Sequence, residues 1–530
     1  MEVARHATTI MRPFSILLLL AAAATATAAE KPNIVFILAD DLGIGDVHAF
    51  NADGKIPTPH MDAFAAQGMK FIDAHTSSSV CTPTRYGVLT GRYNWRSRLQ
   101  SGVLGGLSPR LIEPGRLTVA QLLRDQGYAT ACFGKWHLGL DWVKKPGRAV
   151  TELNIETAQQ NDAIDFTQPF AGGPTTLGFD YYFGIAASLD MVPYTFLEND
   201  HCVKVPTTNK KFPMMGDAEN KGFTRFGPAA EDFEAMNVLP TIGSHAAKWI
   251  GEQKPAAQGG KPFFLYLPLN APHTPSVPTP DWASKSKLNA YGDYVMEADA
   301  VMGQVLDALE KSGAAANTLV IITSDNGCSP MARIPQLREK GHDPCWGLRG
   351  TKADIWEGGH RVPFMARWPE HVKPGTTSEA IVCLTDLFAT CADITGATVP
   401  ETAAEDSVSF LPALRGETGK RTTLVSHSIA GIFAIRSGSM KLCLTPGSGG
   451  WSAPKPGAPT AKDLPPEQLY DLAADRAETR NLAVEQPEKV KELTALLEKY
   501  VADGRSTPGA KQQNTVPVKI HKGAVVVEEK

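Results

Sequence analysis

The chain has 530 residues, of which 43% are hydrophobic and 20% are charged. This composition is typical of a water-soluble globular protein, and it excludes a disordered chain, a coiled coil and a polytopic membrane protein. The 52 Lys and Arg residues nearly balance the 56 Asp and Glu residues, leaving a formal charge of −4, so we expect no nucleic-acid partner.

Residues 1–29 have the layout of a secretory signal. Arg5 and Arg12 precede the apolar run 14–20, and an Ala-rich stretch then leads to an A-x-A-like exit. The apolar centre is shorter than the ~18 residues that a spanning helix needs, which disfavours a membrane anchor. We therefore expect a mature chain that begins near Glu30, is exported to the periplasm or the extracellular space, and has no membrane span.

Strands and helices alternate along the mature chain. Short apolar runs, typical of strands buried on both faces of a sheet, occur at 33–38, 128–133, 262–267 and 318–323. Capping residues and apolar periodicity predict helices at 58–68, 118–127, 289–312 and 484–502. This alternation predicts an α/β fold.

Polar residues follow each of the four predicted strands. In open α/β sheets, ligands bind beyond the carboxyl ends of the strands, so one cleft is expected to contain Asp40, Asp41, Lys135, His137, His273, Asp325 and Asn326. Taken alone, an Asp after a strand is more often a turn residue, and a single His is more often structural. Together, three carboxylates and an amide oxygen suit Ca²⁺ or Mg²⁺ better than zinc. The added cations favour a phosphate or sulfate ester as substrate.

Cys81 lies in a segment whose neighbours suggest chemistry. Pro83 suits the first turn of a helix, where a missing N–H costs nothing, so Cys81 is predicted at a helix N-terminus with oriented amides nearby. Arg85 falls one turn later on the same face. A nucleophile beside a guanidinium is arranged to attack an anion. A buried, inert cysteine is the ordinary alternative, but it does not account for the proline and the arginine.

The run C-T-P-T-R at 81–85, followed by Y-G-V-L-T-G, resembles the modification motif of type I sulfatases, an arylsulfatase-like family of sulfuric ester hydrolases. The resemblance covers nearly the whole mature chain, with further family segments, in the family's order, at 33–43, 127–139, 271–273, 324–327, 349–363 and 467–483. In this family, a formylglycine-generating enzyme oxidises the cysteine to Cα-formylglycine. The resemblance implies that enzyme as a partner during maturation.

The resemblance also implies a metal site and a nucleophile. The family's calcium ligands are matched by Asp40, Asp41, Asp325 and Asn326. Cys81 matches the formylglycine, whose hydrated aldehyde offers one hydroxyl as nucleophile and also touches the single Ca²⁺ ion. Arg85 matches the arginine that stabilises this hydrate.

The other catalytic positions of the family are matched as well. Lys135 and Lys352 match the lysines that hold the sulfate oxygens. His137 matches the histidine that takes a proton from the second hydroxyl, so that sulfate leaves by elimination. His273 matches the histidine beside the leaving-group oxygen. The resemblance thus implies a complete set of catalytic residues.

The family's fold is the alkaline-phosphatase-like α/β sandwich, a large mixed β-sheet flanked by helices with a smaller C-terminal α+β subdomain. The resemblance implies a catalytic domain over 30–400 and a subdomain with a small antiparallel sheet and a helix over 401–505. Residues 506–530 are polar and dotted with Pro and Gly, which predicts a loosely attached tail.

The substrate is expected to be a sulfated small molecule or glycan, with a carbohydrate sulfate favoured over a steroid or a lipid. The segment 141–237 is rich in aromatic residues, for example at 179–183 and 193–196. Such residues stack on sugar faces when they line a cleft, but ordinary core packing is an equal alternative. The candidate substrate contacts are Asp190, His342 and Arg349.

Two other functions remain open. A phosphatase or phosphodiesterase of the same superfold usually relies on two metals and a Thr or Ser nucleophile, and no His-rich set for a second metal is evident in the sequence. A non-catalytic glycan-binding relative would have lost a catalytic residue, and none is lost.

The eight cysteines show no CxxC and no zinc pattern. If Cys81 is reserved for chemistry, an odd number is left, so at least one other cysteine is unpaired. Cys328 and Cys345 bracket one loop and are expected to form a disulfide.

Overall fold

The computed structural model describes residues 31–148, 157–220, 222–258 and 260–522. The predicted export signal at 1–29 and the end of the predicted tail lie outside these residues. The helices are α1 (Pro59–Gln67), α2 (Cys81–Thr90), α3 (Val119–Asp125), α4 (Ala158–Asn161), α5 (Val238–Gln258), α6 (Ala290–Ser312), α7 (Ile334–Glu339), α8 (Glu357–His360), α9 (Leu387–Thr395), α10 (Leu411–Leu414) and α11 (Pro487–Asp503). Among the described residues, no helix combines the length and the apolar character needed to cross a membrane.

The strands are β1 (Asn33–Asp40), β2 (Met69–Phe71), β3 (Ala74–His75), β4 (Ala129–Lys135), β5 (Tyr181–Ile185), β6 (Leu197–Glu198), β7 (His201–Cys202), β8 (Thr208–Lys210), β9 (Gly227–Ala229), β10 (Phe263–Pro272), β11 (Thr318–Ser324), β12 (Phe364–Arg367), β13 (Thr376–Ser378), β14 (Val382–Cys383), β15 (Thr423–His427), β16 (Phe433–Ser437), β17 (Met440–Cys443) and β18 (Gln468–Asp471). The four predicted strands correspond to β1, β4, β10 and β11. The four predicted helices correspond to α1, α3, α6 and α11. All eight are confirmed, with small shifts at their ends.

Ten strands form one mixed sheet in the order β13-β2-β12-β11-β1-β10-β4-β5-β6-β7. The apolar strand β1 lies at its centre and pairs in parallel with β10 on one side and β11 on the other. Next to β10, β4 is also parallel, whereas β12 is antiparallel to β11. Because β1, β10, β11 and β4 share one direction, their carboxyl ends meet at the same edge of the sheet.

Helices cover the large sheet and bury its apolar residues. Helices α5 and α6 pack on each other and on β10, while α3 packs on β4 and α9. The long helix α6 begins where the Asn289 side chain accepts a hydrogen bond from the Gly292 N–H, and it ends at Gly313, whose φ of 78° is left-handed. The helices thereby hold the central strands in place.

A second sheet of four antiparallel strands, in the order β15-β16-β17-β18, follows in the chain. Helix α11 packs on β16 and β17 and buries Leu493 and Leu497. The expected architecture, a large mixed sheet with helices and a smaller C-terminal antiparallel sheet, is confirmed. The boundary expected at 400/401 stays a prediction.

Buried ion pairs join the small sheet to neighbouring segments of the chain, two of which, at Asp73 and Glu357, precede it in the sequence. Arg436 on β16 pairs with Asp73 at 2.7 Å, and Lys441 on β17 pairs with Glu357 at 2.9 Å and with Glu478 at 2.8 Å. All five side chains are buried or nearly so. Breaking one partner of such a pair leaves an uncompensated buried charge, so these contacts hold the small sheet against these segments.

The described part of the predicted tail is held against the chain. The Arg96 guanidinium donates to Asn514 Oδ1 at 2.9 Å, the Thr515 hydroxyl donates to Glu113 Oε1 at 2.8 Å, and Lys522 Nζ donates to the backbone carbonyl of residue 100 at 2.9 Å. The expectation of a loose tail is therefore wrong for residues 506–522.

All eight cysteines lie among the described residues, and all are free and buried. The expected disulfide between Cys328 and Cys345 is therefore wrong. The Cys328 thiol instead donates to the carbonyl of Ser329, with a sulfur–oxygen distance of 3.6 Å. Enclosed in the core, the cysteines other than Cys81 act as small apolar side chains.

Candidate active site

The ends of β1 and β11 bring three carboxylates and an amide together. Asp40 is the last residue of β1, and Asp41 follows it with a left-handed φ of 67°. The Asp41 N–H donates to Asp325 Oδ1 at 3.3 Å, and Asn326 Nδ2 donates to Asp41 Oδ1 at 2.7 Å. All four side chains are buried. The parallel pairing of β1 with β11 thus builds the oxygen-rich group that the strand-end pattern predicted.

Three buried cations surround these carboxylates. Arg85 Nη2 lies 2.7 Å from Asp325 Oδ2 and 3.5 Å from Asp40 Oδ2. Lys135, at the end of β4, places its Nζ 2.5 Å from Asp40 Oδ2. Lys352 Nζ lies 2.7 Å from Asp41 Oδ1. The structure therefore brings together the predicted arginine and both predicted lysines at one end of the sheet.

Asp40 and Asp325 respond to this crowding in opposite ways. Burial raises the pKa of Asp40, but interactions with Lys135, the His273 ring, Arg85 and Lys352 together outweigh burial and hold this pKa below its usual value. Burial and repulsion from Asp40 raise the pKa of Asp325 to about 7, although Arg85 and Lys135 act in the other direction. Two carboxylates this close repel each other's negative charge, so the second one ionises less readily than the first.

The group fits a hard cation. Asp40 Oδ1 and Asn326 Oδ1 are buried and have no hydrogen-bond partner. One ligand atom from each of Asp40, Asp41 and His273 lies within 4.8 Å of the others. Carboxylate and amide oxygens are the ligands that calcium prefers. A cation among them would also favour the ionised form of Asp325.

Cys81 is the first residue of α2, as predicted, and is 2% exposed. Pro83 and Arg85 lie in the first turns of the same buried helix. Burial raises the pKa of the Cys81 thiol even though Lys135 and Lys352 act to lower it. The thiol is therefore neutral near pH 7 and is a poor nucleophile as it stands.

His137 follows β4 and presents one free ring nitrogen. Its Nε2 lies 2.7 Å from the Leu104 carbonyl, which can only accept, so Nε2 carries the proton. Burial, with the nearby cations of Lys135 and Arg85, holds the pKa of this histidine well below its usual value. The neutral ring therefore keeps a lone pair on Nδ1, which is buried and has no partner.

Ser188 was not predicted from the sequence, although it lies beside these residues. Strand β5 pairs in parallel with β4, with Ile185 opposite Lys135, and the His137 N–H donates to the carbonyl of Ala186 at 3.0 Å. Ser188 follows directly, is 2% exposed, and has a hydroxyl without a partner. The sequence pattern that could have indicated Ser188 is the strand Y-Y-F-G-I that precedes it. This strand was not predicted because it lies in an irregular segment rich in aromatic residues.

His273 lies just after β10 at the open side of the group. Its side chain is 11% exposed, whereas that of Lys352 is 6% exposed and that of Asp41 is 1% exposed. Its Nδ1 donates to the Thr274 carbonyl at 2.5 Å, and its Nε2 lies 3.8 Å from Asp41 Oδ2. Burial and the Lys352 cation lower the pKa of His273. Solvent thus reaches the group from the side of His273.

The structure does not bring His342 or Arg349 into this group. His342 is fully buried, with Nε2 2.8 Å from Asp46 Oδ1 and Nδ1 accepting from the Lys55 N–H at 3.1 Å, so both nitrogens are occupied. The Arg349 guanidinium lies 3.7 Å from the centre of the Trp356 ring and donates to the backbone carbonyl of residue 478 at 2.8 Å. These contacts give both residues structural partners, and their contact with substrate stays a prediction.

Asp190, the third candidate substrate contact, lies two residues beyond Ser188. Its Oδ2 pairs with Arg225 Nη1 at 3.0 Å, and both side chains are partly exposed. The segments at 179–183 and 193–196 are mostly in the core: Phe179, Tyr182 and Tyr194 are almost fully buried. For these aromatic residues, core packing is the correct alternative.

Comparisons with known proteins agree with this geometry. The family model described as "Sulfatase" matches residues 32–397. The chain is 35% identical over 502 residues to an N-acetylgalactosamine-6-O-sulfatase of Bacteroides thetaiotaomicron, covering 88% of this chain and 93% of that protein. It is 33% identical over 482 residues to arylsulfatase A of Bos taurus, covering 88% and 86%.

A similar solved structure belongs to work on the metabolism of multiple glycosaminoglycans by Bacteroides thetaiotaomicron, in which it is labelled "6S-sulf". It shares 32% sequence identity with this chain and superposes with a TM-score of 0.74. The match covers 89% of this chain and 99% of that chain. The likeness thus extends through both sheets.

Proposed function

Because the chain belongs to the type I sulfatase family, we propose that it is an exported enzyme that removes sulfate from a sulfated carbohydrate, using a Cα-formylglycine formed from Cys81 and one bound Ca²⁺. The chain is a sulfuric ester hydrolase with the alkaline-phosphatase-like fold. The observation that carries the proposal is the convergence of Arg85, Lys135 and Lys352 beside Cys81 at one end of the sheet.

The neutral Cys81 thiol supports the need for modification. Its raised pKa leaves little thiolate at pH 7, so the unmodified side chain would attack sulfur slowly. A formylglycine hydrate, when present, supplies two hydroxyl groups on one carbon, of which one is the nucleophile. A formylglycine-generating enzyme is the partner that this proposal requires during maturation.

Asp40, Asp41, Asp325 and Asn326 would hold the calcium ion together with the modified residue at position 81. The unpartnered oxygens of Asp40 and Asn326 support this assignment. When bound, calcium supplies positive charge that polarises the sulfate ester and the nucleophilic hydroxyl. The charge of the ion would also offset the three carboxylates. The protein's own cations would then be shared between these carboxylates and the substrate.

The protein side chains divide the remaining work. Lys135 and Lys352 bind the sulfate oxygens, and Arg85 orients the hydrate through its fixed position against Asp325. His137 Nδ1 takes a proton, since it holds a buried lone pair without a partner. We assign the Ser188 hydroxyl, which is buried without a partner, as a further donor to the sulfate. Together these groups bind a tetrahedral anion and offset the charge that develops on it.

His273 gives a proton to the oxygen of the departing alcohol. Its Nδ1–H is held by the Thr274 carbonyl, so Nε2 is the nitrogen that faces the site. A bound sulfate ester adds negative charge beside the ring, which raises the pKa of His273 and favours a proton on Nε2. The proton then reaches the leaving oxygen as the S–O bond breaks.

Two relatives support a sugar as the sulfated alcohol. One is named an N-acetylgalactosamine-6-O-sulfatase, and the solved structure comes from work on glycosaminoglycan metabolism. A phosphatase with two metals is less consistent with the residues that the structure describes. Their other candidate metal group, His75 with Glu357 and His360, lies against the cations of Lys441 and Arg361, which disfavours a second metal ion.

Mass spectrometry of the tryptic peptide 71–85 tests the proposal. We expect a mass lower by the difference between a CH₂–SH and a CHO side chain, and activity in proportion to the aldehyde fraction. Cys81→Ala should abolish sulfate release and leave the circular dichroism spectrum unchanged. Cys202→Ala, at another buried free cysteine, serves as the control and should retain activity. An active preparation that contains only the thiol at position 81 would contradict the proposal.

A further inference from the structure

Phe223 and Phe226 are unusually exposed for residues of this size. Their exposed fractions are 58% and 64%, whereas the aromatic residues of the preceding segments are packed in the core. The Lys211 ammonium lies 4.5 Å from the centre of the Phe223 ring. Among the described residues, Lys211 has no carboxylate partner. The ammonium over the ring face is a cation–π contact, and two large exposed rings beside it make a candidate ligand-binding surface.

One side of this segment is fastened to the loop that carries His273. Phe223 pairs with Pro213 in a short antiparallel bridge, and Met215 pairs in parallel with Ser276. The Ser276 N–H donates to the carbonyl of Met214 at 2.9 Å. Ser276 is three residues beyond His273 in the chain. The hairpin that presents Phe223 therefore runs beside the loop at the open side of the active site.

The other side of the segment is fastened to the loop that carries Ser188. Arg225, between the two phenylalanines, donates from Nη1 to the Asp190 carbonyl at 3.1 Å and to its Oδ2 at 3.0 Å. The Arg225 N–H donates to the same carbonyl at 3.2 Å. Asp190 is two residues beyond Ser188. The segment 223–226 therefore connects the two loops that border the site.

This position corresponds to the side from which substrate must enter. His273 is the most exposed member of the catalytic group, and the sulfate-binding side chains beneath it are nearly inaccessible. An ester whose sulfate reaches Lys135 and Lys352 must project its alcohol past His273. When that alcohol is one sugar of a chain, the next sugar extends over the neighbouring loops.

We infer that Phe223, Phe226 and Lys211 form a subsite for the sugar adjacent to the one that loses sulfate, in an acidic oligosaccharide. The inference rests on the proposed carbohydrate substrate. The aromatic rings bind the C–H face of this second sugar, and the Lys211 ammonium binds its sulfate or carboxylate group. Asp190 acts as a positioning residue, because its ion pair with Arg225 holds the segment in place. This subsite would make the enzyme act more efficiently on an acidic oligosaccharide than on a sulfated monosaccharide.

The test compares substrates of two lengths. The specificity constant kcat/KM is measured for a sulfated monosaccharide and for an acidic tetrasaccharide with the same terminal sulfated sugar, and the ratio of the two is calculated. In the double variant Phe223→Ala and Phe226→Ala, this ratio should fall roughly five- to tenfold, through a higher KM for the tetrasaccharide. Lys211→Ala should lower it in a salt-dependent manner. Val484→Ala, at a residue that is 76% exposed in another region, should leave the ratio at the wild-type value.

The outcomes separate this inference from the proposed function. A wild-type ratio in the double variant, with normal turnover of both saccharides by the wild type, would overturn the subsite alone. Failure of the wild type to release sulfate from any saccharide, with turnover of an aryl sulfate, would overturn the carbohydrate substrate and the subsite with it. A change of oligomeric state in the double variant at an unchanged ratio would assign the two phenylalanines to self-association and overturn the subsite.

Discussion

At the scale of single residues, backbone carbonyls decide which ring nitrogen His137 and His273 each present to the candidate site. The Leu104 carbonyl takes the Nε2 proton of His137 and leaves Nδ1 as a lone-pair acceptor. The Thr274 carbonyl takes the Nδ1 proton of His273 and leaves Nε2 towards the open side. The pKa of each ring is lowered, mainly by burial. The two rings thus present opposite nitrogens to the same site.

We expect His273→Ala to damage turnover of a sulfated sugar far more than turnover of 4-nitrophenyl sulfate. A sugar alcohol is a poor leaving group and needs a proton as the S–O bond breaks, which is worth ~10²–10⁴-fold in rate. An acidic phenol needs much less help. Steady-state rates with both substrates, for the wild type and the variant, give the comparison.

His245→Ala is the matched control for this prediction. His245 lies on α5 and stacks on Phe183, with ring centres 3.9 Å apart, so its loss should not separate the two substrates. Equal losses on both substrates in His273→Ala would mean that this residue holds the sulfate or the modified side chain and does not supply the proton.

At the scale of elements, the strands that end at the candidate site were predictable because they are buried on both faces. Such strands are continuous apolar runs, as in β1 and β11, and the polar residues at their ends then stand out. The short strand β5 also leads to a polar residue of the candidate site, but it begins with two tyrosines in an irregular region. Its neighbour Ser188 was missed for that reason.

The substrate contacts proposed from sequence needed information that the local pattern does not contain. His342 bonds to Asp46, 296 positions earlier in the chain, and nothing near His342 in the sequence indicates this partner. Likewise, the spacing of Cys328 and Cys345 says nothing about how their side chains pack. Exposure depends on long-range packing too, so the sequence did not distinguish the buried Phe179 from the exposed Phe223.

The contact between β15 and the catalytic domain predicts a pH-dependent stability. His427, at the end of β15, is fully buried, and its Nε2 bonds to Asn94 Oδ1. Burial lowers its pKa from 6.5 to about 3, so the unfolded state binds more protons between these values. The stabilisation is therefore complete above pH 6.5 and is lost as the pH falls towards 3. Relative to pH 7.5, the loss at pH 5.5 is about 1.4 kcal/mol.

Urea unfolding at both pH values measures this effect. His427→Gln keeps a hydrogen-bonding side chain but cannot titrate. Between pH 7.5 and pH 5.5, the free energy of unfolding of this variant should therefore fall by about 1.4 kcal/mol less than that of the wild type. His201→Gln replaces a histidine that is 54% exposed and should behave as the wild type. Identical pH dependence in the wild type and His427→Gln would contradict the prediction.

At the scale of the whole molecule, the proposed metal site joins parts of the chain that are far apart in sequence. Asp40 ends β1 and Asp325 directly follows β11, the neighbouring central strand, so a cation bound by both would link the middle of the large sheet. We expect calcium to raise Tm, and a chelator to lower it. A ligand that binds only the folded state adds about 2.7 kcal/mol at 100 times its Kd. Thermal unfolding with calcium and with EGTA tests this.

Variants identify the carboxylates involved. Asp325→Asn should lose most of the calcium-dependent rise in Tm, together with bound calcium in metal analysis and most of the activity. Asp307→Asn changes an exposed carboxylate, 68% accessible, and should retain the rise. Stoichiometric zinc in the wild type, removed together with activity by a zinc-selective chelator, would count against calcium.

The burial of Cys81 restricts when the proposed oxidation of its side chain can occur. All ten residues of α2 are buried, and an oxidising enzyme needs free space around the side chain on which it acts. Strand β11, which completes the site beside β1, is synthesised long after residue 81. The proposed oxidation must therefore occur while the segment is still unfolded, before these strands meet. Under this proposal, we expect a molecule that folds with its thiol intact to stay inactive, because the modifying enzyme can no longer reach the side chain.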